Sequence, residues 1–440
     1  MSLDDVAADV DHPGRRPVPH TTDVASRTAF RYVRPLSGLI VPIGAVVLAL
    51  LVGAVMLLAL GADPLTGYAA LFDGAFGGWD ELADTCLKAM PLLLVGVGIC
   101  IAFRAGVINL GGEGQIIVGG ILSTIVALAV PGTPRLLLVP LVLVAGGVGG
   151  ALWGAIPGAL KAYAGVSEIL STIMLNIVAG QLLSFLLQDL LIEEGAIKIQ
   201  QTERLTPNSH LPLLPGGTRL HVGVPIAIVV AVLGFFLLFR SSLGVRLRAV
   251  GHNPDASKYA GMPVKRSVVQ ALAFSGACAG VAGAILVFGS ESHRLIGEGG
   301  STAFTQNAGF NGIVAALFGA LHPLSAIPAS FLFGGLLTGG IALQRELQVP
   351  AALIVALNGV IVIFVVGSLK LRGRINRWIE RGDQARRHEG ERELAADVPV
   401  GRGAGSVSGS RVGSVSGGGA GNGPRRGAGS GPGSEEVDDG

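Results

Sequence analysis

The residues that could carry chemistry are concentrated in one short stretch between two long apolar runs. Residues 103–115 read FRAGVINLGGEGQ, and they place charged or amide side chains around a pair of glycines: Arg104, Asn109, Gly111, Gly112, Glu113 and Gln115. Charged groups at membrane depth are costly, and they tend to face a cavity or a partner. Glycines beside polar side chains indicate an interrupted helix, whose free backbone groups can bind a solute. The alternative is a cytoplasmic hairpin turn, with Arg104 extending to the interface.

Amide side chains form a second polar stretch near the end of the apolar region. Residues 304–312 read FTQNAGFNG and contain Gln306, Asn307 and Asn311. Amides donate and accept hydrogen bonds together, so they suit a neutral polar solute, although hydrogen bonding between helices would use them equally well. A third set follows helical i, i+3 and i+4 spacing, and it could line a pathway or connect two helices: Glu168, Ser171, Thr172 and Asn176.

A short helix is predicted within the polar stretch 246–266, RLRAVGHNPDASKYAGMPVKR. Asn253 or Asp255 can cap its first turn, and Pro254 fits a first helical position. The helix would run from about Pro254 to Ala260 and end at Gly261. A short, well-defined helix in a cytoplasmic loop is suited to docking another protein, whereas the alternative is a solvated loop.

Several kinds of chemistry have no signal in this sequence. There is no G-x-x-x-x-G-K-[ST] phosphate loop, so binding of ATP in the P-loop manner is excluded. No Ser/His/Asp set and no metal-spaced histidine cluster occurs, and the three cysteines lie in or beside apolar runs without metal-ligand spacing. The apolar runs also lack the series of ionisable residues that a proton relay needs. We therefore predict a chain that is not an enzyme and binds no metal or cofactor.

The apolar runs themselves predict the elements that position these residues. Half of the 440 residues are apolar, 14% are charged and the mean hydropathy is +0.61. Runs of about 20 apolar residues are long enough to cross a bilayer as helices. The predicted fold is all-α, a polytopic integral membrane protein of about ten transmembrane helices, some of them broken or re-entrant. The predicted spans are 39–61, 86–103, 116–130, 136–156, 168–190, 224–239, 268–289, 304–320, 326–343 and 350–369.

The distribution of basic residues predicts the orientation. Lys and Arg close to a span resist translocation, and they cluster before the first span, in 240–267 and after the last span. The loop 62–85 carries five acidic residues and no basic one, so it is expected outside. An even number of spans then leaves both termini in the cytoplasm. The predicted domains are a disordered arm (1–38), a transmembrane domain (39–370) and a basic segment with a disordered Gly/Ser-rich tail (371–440).

Two stretches rich in Gly and Ala resemble each other loosely, 145–159 and 276–284. Small residues at this spacing allow helix backbones to approach closely. The stretches could also mark an internal duplication, as in the halves of many transporters.

Four segments together resemble the permeases of ATP-binding-cassette importers of the branched-chain amino acid/ribose type, in the subgroup for nucleosides and simple sugars. The first, FRAGVINLGGEGQIIVGG, is similar to the signature Asn-x-Gly-x-Glu-Gly-Gln. The others are GALWGAIPGALKAYAGVSEILSTIMLN, LRAVGHNPDASKYAG and ALFGALHPLSAIPASFLFGGL. The resemblance covers about residues 36 to 370, and it favours a nucleoside over a sugar as the solute.

The resemblance implies an importer in a bacterial plasma membrane whose partners supply ATP hydrolysis and solute capture. They are two cytoplasmic ATPase subunits, a second, non-identical permease, and an extracytoplasmic solute-binding lipoprotein; no nucleic acid is expected to be involved. It assigns the coupling loop that docks on the ATPase to Arg248, Gly251, Asn253, Pro254, Ala256, Tyr259 and Gly261. The expected substrate pathway comprises Arg104, Asn109, Gly111, Glu113, Gln115, Asn176, Gln306, Asn307 and Asn311. The alternative is a secondary transporter driven by an ion gradient, for which only Arg104 and Glu113 could form the ion site.

Overall fold

The computed structural model describes residues 47–193, 199–297 and 304–350, with a few isolated positions from Gly44 to Gly367. The predicted arm 1–38 and tail 371–440 lie outside these residues. Across the described residues the regular elements are helices, with only two isolated β-bridges, so the all-α prediction is confirmed. The helices are α1 (Val47–Ala59), α2 (Pro64–Phe76), α3 (Trp79–Arg104), α4 (Gly112–Ala129), α5 (Arg135–Ala164), α6 (Glu168–Gln188), α7 (Gly223–Arg240), α8 (Ser242–His252), α9 (Pro254–Tyr259), α10 (Val264–Phe288), α11 (Ala308–Phe318) and α12 (Ala326–Leu347).

The predicted number of ten spans is higher than the described residues support. Seven helices are long and apolar enough to cross a membrane, or eight if α1 and α2 form one span bent by 117°. The predicted span 304–320 is only the 11-residue helix α11, about 16 Å long, which is roughly half the thickness of a hydrocarbon core. Most of the predicted span 350–369 lies outside the described residues.

The predicted outer loop 62–85 is instead largely helical. Asp63 caps α2, since its carboxylate accepts hydrogen bonds from the backbone N–H groups of Leu65 and Thr66. Pro64 occupies the first helical position, where its missing N–H has no cost. Asp63 therefore starts α2, Asp80 and Glu81 lie in the first turn of α3, and only Gly77 and Gly78 separate the two helices.

Helix α3 lies at the centre of the bundle and packs against α2, α7, α10, α11 and α12. It is buried almost continuously from Ala89 to Ala102. By contrast, only 22% of the apolar stretch of α6 is buried, and this helix exposes large side chains such as Ile177 and Phe185. A helix that is apolar all round yet largely exposed in the chain faces lipid or another subunit.

Close backbone contact joins α5 and α10. A Cβ atom added to Gly150 would lie 2.1 Å from the carbonyl oxygen of Gly276, and one added to Gly280 would lie 2.1 Å from that of Gly146. Only glycine permits such an approach, which van der Waals packing then stabilises. The stretches 145–159 and 276–284 therefore pack on each other, as the helix-packing interpretation predicts.

The loops lie at two opposite ends of the bundle. At one end, which we call the α9 end, Gly251 packs against the backbone of Arg104, and the Arg104 side chain donates to the carbonyl oxygen of Leu321. At the other, the cavity end, the Arg135 side chain donates to the carbonyl oxygen of Pro207. Helices α3, α5, α7 and α10 run from one end to the other, whereas α4 begins inside the bundle.

Candidate functional site

The signature segment is an interrupted helix that re-enters the bundle. Helix α3 ends at Arg104 at the α9 end, and Gly106 turns the chain with a left-handed φ of 75°. Residues 107–111 are not helical, and α4 begins at Gly112, which packs against Val95. Because Val95 precedes Arg104 by nine residues, α4 begins about 14 Å inside the bundle. The interrupted helix, and not a simple hairpin turn, is therefore the structure of this segment.

Asn109 and Gln115 form a buried amide pair at this break. Nδ2 of Asn109 donates to Oε1 of Gln115 at 3.0 Å and to Oγ of Ser275 on α10 at 2.8 Å. Its Oδ1 accepts from the N–H of Gly111 at 2.8 Å. Both amide side chains are at most 1% exposed, so they stabilise the non-helical segment and connect it to α10.

Asn176 on α6 completes the hydrogen bonding of the same break. Its Oδ1 accepts from the N–H of Gly114 at 2.9 Å, and its Nδ2 donates to the carbonyl oxygen of Leu110 at 2.8 Å. These are backbone groups that an interrupted helix leaves without intrahelical partners. Ser171 and Thr172 instead bond to the carbonyl oxygen of Glu168 in their own helix. Of the polar set on α6, Asn176 and Glu168 therefore reach the signature segment, since the Glu168 carboxylate accepts from the backbone N–H of Ile108.

Glu113 lies where two helices begin face to face. Its Oε1 accepts from the N–H groups of Gly309 at 2.9 Å and Phe310 at 3.3 Å, and the Thr305 side chain also bonds to it. These N–H groups belong to the first turn of α11, which lacks intrahelical acceptors and favours negative charge. We call this contact between Gly112–Glu113 and Ala308–Phe310 the Glu113 junction. From it, α4 runs to the cavity end and α11 runs to the α9 end.

The second polar stretch precedes the junction. Gln306 and Asn307 are exposed, and both have left-handed backbones, with φ of 52° and 58°. Oε1 of Gln306 accepts a hydrogen bond from Nζ of Lys88 on α3. Asn311 is half-buried in the first turn of α11. The structure thus brings these three amides close to Glu113, and it adds Lys88, which the sequence reasoning overlooked although a lone lysine in an apolar run is a signal.

A cavity of about 1110 Å³ opens at the cavity end and reaches toward the junction. Its lining descends to Leu92 and Ala308, and it includes Lys88, Phe304 and Gln306. Ligand pockets commonly enclose about 300–1,000 Å³, so a small solute would fit. Its charged lining residues are Asp84, Lys88, Arg135, Arg219, Glu291, Arg294 and Arg345, an excess of cations.

Three histidines lie at the rim of this cavity. The rings of His210 and His293 stack with centroids 3.4 Å apart. Burial lowers the pKa of both, and burial together with the neighbouring His293 lowers the pKa of His221 to about 4. All three are therefore neutral near pH 7. Among the described residues, no three His, Cys, Asp or Glu side chains are close enough to bind a metal ion.

The predicted short helix exists at the α9 end. Helix α9 spans Pro254–Tyr259, Oδ1 of Asn253 caps it by accepting from the N–H of Ala256 at 3.0 Å, and the chain turns at Gly261 with φ of 77°. Ala256 is exposed, and Tyr259 is 93% exposed. Apart from the buried Ser257, helix α9 therefore presents its side chains to the surroundings.

Other residues of the predicted coupling loop connect it to the bundle. The Arg248 guanidinium lies 5.2 Å from the ring centroid of Phe239, and the Arg104 guanidinium lies 5.8 Å from the same centroid. A Cβ atom on Gly251 would lie 2.2 Å from the carbonyl oxygen of Arg104. The loop before α9 thus contacts the residue at which α3 ends and the interrupted segment begins.

Comparison with known proteins places these features in one family. Residues 82–369 match the model of the branched-chain amino acid transport system permease component. The chain is 34% identical to the guanosine ABC transporter permease protein NupP of Bacillus subtilis, over 80% of this chain and 99% of that protein. It is 32% identical to the nucleoside ABC transporter permease protein NupB of Lactococcus lactis, over 74% of this chain and 90% of that protein.

A third relative carries the name of a different solute. The glucose ABC transporter permease protein TsgB13 of Haloferax volcanii is 31% identical over 74% of this chain and 87% of that protein. No solved structure matches the chain. Because the relatives are ABC permeases, the alternative of an ion-driven secondary transporter has no support. The family match and the membrane-spanning helices lead to one conclusion: this chain belongs to the branched-chain amino acid transport system permease family and is a membrane-embedded permease subunit of an ABC transporter.

Proposed function

We propose that this chain forms part of the membrane pathway of a bacterial importer for nucleosides. Two of the relatives named above carry nucleoside or guanosine in their names, and one of them matches over nearly its whole length. The structural observation that carries the proposal is the cavity that leads from one end of the bundle to the Glu113 junction. A solute can enter this cavity from one end of the bundle. The cavity is closed at the first turns of α4 and α11, so it opens to the other end only if these two helices separate.

The power for this step would come from a separate ATPase subunit that docks on α9. Exposed Tyr259 and Ala256 offer a contact surface. Gly251, in contact with the backbone of Arg104, would transmit movement of the loop to the interrupted segment. The work requires that ATP binding favours one conformation over another. In this arrangement ATP is bound by the partner, and α9 lies in the cytoplasm together with both termini.

Two further partners complete the proposed importer. An extracytoplasmic lipoprotein would deliver the solute to the cavity end, and a second, non-identical permease would provide the other half of the pathway. The exposed apolar side chains of α5 and α6, such as Leu152 and Phe185, leave room for lipid and for a second subunit.

Uptake measurements in a deletion strain test which solute the importer transports. Cells that lack this chain should lose uptake of labelled guanosine or adenosine, and the full-length gene should restore it. Glucose is the second candidate, which the 31% identity to a glucose permease supports. Loss of glucose uptake with unchanged nucleoside uptake would replace the nucleoside proposal with the sugar one.

A substitution at Gly261 tests the docking proposal. A Cβ atom at this position would contact nothing within 4 Å, but the φ of 77° strains any residue other than glycine, by about 1–2 kcal/mol. Gly261→Leu should therefore abolish uptake and transport-coupled ATPase activity while the protein remains in the membrane. Gly261→Asn is the matched control, since asparagine tolerates this backbone conformation better. Unchanged uptake with Gly261→Leu would refute docking through α9.

A further inference from the structure

Lys88 occupies an unusual position for a cation. It lies nine residues into α3, about 14 Å from the first residue of that helix, in the wall of the cavity. A charged side chain at such a depth is expensive, and such residues generally belong to a solute or ion pathway. Lys88 is half-buried, and its ammonium donates to Oε1 of Gln306. Asp84, one turn earlier in α3, lines the same cavity.

The chemistry of this pair determines what it offers to a solute. An ammonium cannot accept a hydrogen bond, so Gln306 must present its carbonyl oxygen to Lys88. The NH₂ group of Gln306 then keeps two N–H donors, and the ammonium keeps two of its three. Since both side chains line the cavity, its inner part presents neighbouring donors. A solute bound there must bring neighbouring acceptors.

The surrounding backbone fixes the pair in place. Gln306 and Asn307 adopt left-handed conformations, which cost about 1–3 kcal/mol for each residue other than glycine and which concentrate at ligand sites. The preceding residue, Thr305, bonds to Glu113. Phe304 also lines the cavity, and its ring packs against α4, where a Cβ atom on Gly120 would lie 2.8 Å from ring atom Cζ. An aromatic face is thus positioned close to the donors.

We infer that Lys88 and Gln306 read the base of a 6-oxopurine nucleoside, with the Phe304 ring beside it. The inference rests on the proposed function, and it names the solute class that this site selects. Guanine presents two neighbouring acceptors, N7 and O6, whereas adenine presents the acceptor N7 beside the amino group N6, a donor. Two donors from the protein match the first pattern. Against adenine, one of them would face another donor and remain without an acceptor.

The test compares two nucleosides in cells that carry the complete transporter. The measured quantity is the ratio of guanosine to adenosine initial uptake rates, which does not depend on how much protein reaches the membrane. Lys88→Gln, which can both donate and accept, should lower this ratio about tenfold, and Lys88→Arg should preserve it. Arg219→Gln is the matched control: Arg219 lines the same cavity but is exposed and paired with Glu291, so the ratio should not change.

A second measurement removes the influence of the binding protein on selectivity. The purified permease and ATPase complex is melted in detergent with guanosine or with adenosine at equal concentration, because the ligand that binds the folded state more tightly raises the melting temperature more. Guanosine should stabilise the wild type more than adenosine does, and the difference should vanish in Lys88→Gln. An unchanged difference in that variant overturns the inference, whereas a wild type that imports no nucleoside overturns the proposed function itself.

Discussion

The Glu113 junction and α9 use polar residues in opposite ways. At the junction, Glu113 is 7% exposed and accepts from backbone N–H groups 196 and 197 residues away in sequence. In α9, Tyr259 is 93% exposed, and the cap of Asn253 bonds only three residues ahead. The signature residues thus stabilise the interrupted bundle through distant contacts, whereas α9 is formed by local sequence and leaves most of its side chains exposed.

The largest effect should follow removal of the Glu113 carboxylate. Glu113→Ala would leave the N–H groups of Gly309 and Phe310 without their acceptor, at about 1–3 kcal/mol for each buried group. We expect the variant to be lost from the membrane or to melt far below the wild type in detergent. Glu113→Gln retains an acceptor, so its melting temperature should lie between those of Glu113→Ala and the wild type. Glu291→Ala, at an exposed ion pair, is the control and should melt like the wild type.

A smaller loss should follow at the edge of the same break. Asn176→Ala leaves the N–H of Gly114 without its side-chain acceptor and the carbonyl oxygen of Leu110 without its side-chain donor. We expect a loss of about 1–3 kcal/mol in the free energy of unfolding, measured as a lower melting temperature. If Asn176→Ala and Glu113→Ala combined destabilise by the simple sum, the two contacts act independently. A melting temperature equal to that of the wild type would show that this break needs no side chain from α6.

A third effect concerns a buried residue outside the spans, His221, whose protonation should make the stability of the protein depend on pH. His221 is buried, and its Nδ1 accepts from the N–H of Gly223, so the folded chain favours the neutral ring. Its pKa is lowered to about 4 from a value near 6.5, so the stability it contributes is present above pH 6.5 and is lost as the pH falls toward 4. Between pH 7.5 and 5.5 the loss should be about 1 kcal/mol.

The pH effect is measured by melting the purified protein at both values. His221→Gln should melt lower at pH 7.5 but show a flatter pH dependence than the wild type. The stacked His210 and His293, whose pKa values are also lowered, contribute in the same direction, so part of the slope should remain. An unchanged slope in His221→Gln would contradict the assignment to His221.

The smallest effect on stability should come from Tyr259. Tyr259→Ala removes an exposed side chain, so the free energy of unfolding should change by less than about 0.5 kcal/mol. Uptake and transport-coupled ATPase activity should nevertheless fall if α9 docks on the ATPase. A variant that melts normally and transports normally would contradict docking through Tyr259, and α9 would then be a solvated helix without that contact.

Local features of the sequence were sufficient for several elements. Asn253, Pro254 and Gly261 predicted a helix that the structure confirms within one residue, because caps and left-handed turns act within a few positions. The Gly111-Gly112 pair with its polar neighbours indicated two alternatives, an interrupted helix and a hairpin turn, and the structure shows the interrupted helix. The stretch 62–85 was predicted as a loop but is largely helical, since Asp63 caps α2, and its location on the outside stays a prediction.

The pairing of the site residues could not be predicted in the same way. Nothing near Asn109 in the sequence indicates Ser275, and nothing near Lys88 indicates Gln306. The number of spans could not be predicted either, because the sequence does not show that α11 begins inside the bundle and is shorter than its apolar run. Such contacts arise only when distant helices pack.

The sequence alone was enough to predict that this protein lies in a bilayer and where a short capped helix forms, because hydropathy and capping act over one helix or less. For residues 103–115 it left an interrupted helix and a hairpin turn as alternatives. The tertiary structure decided that Glu113 caps α11, that two helices start face to face and that Lys88 meets an amide beside a cavity. In a medium without water, an interrupted backbone must find its hydrogen-bond partners in other helices, and only the packed bundle brings those partners within reach.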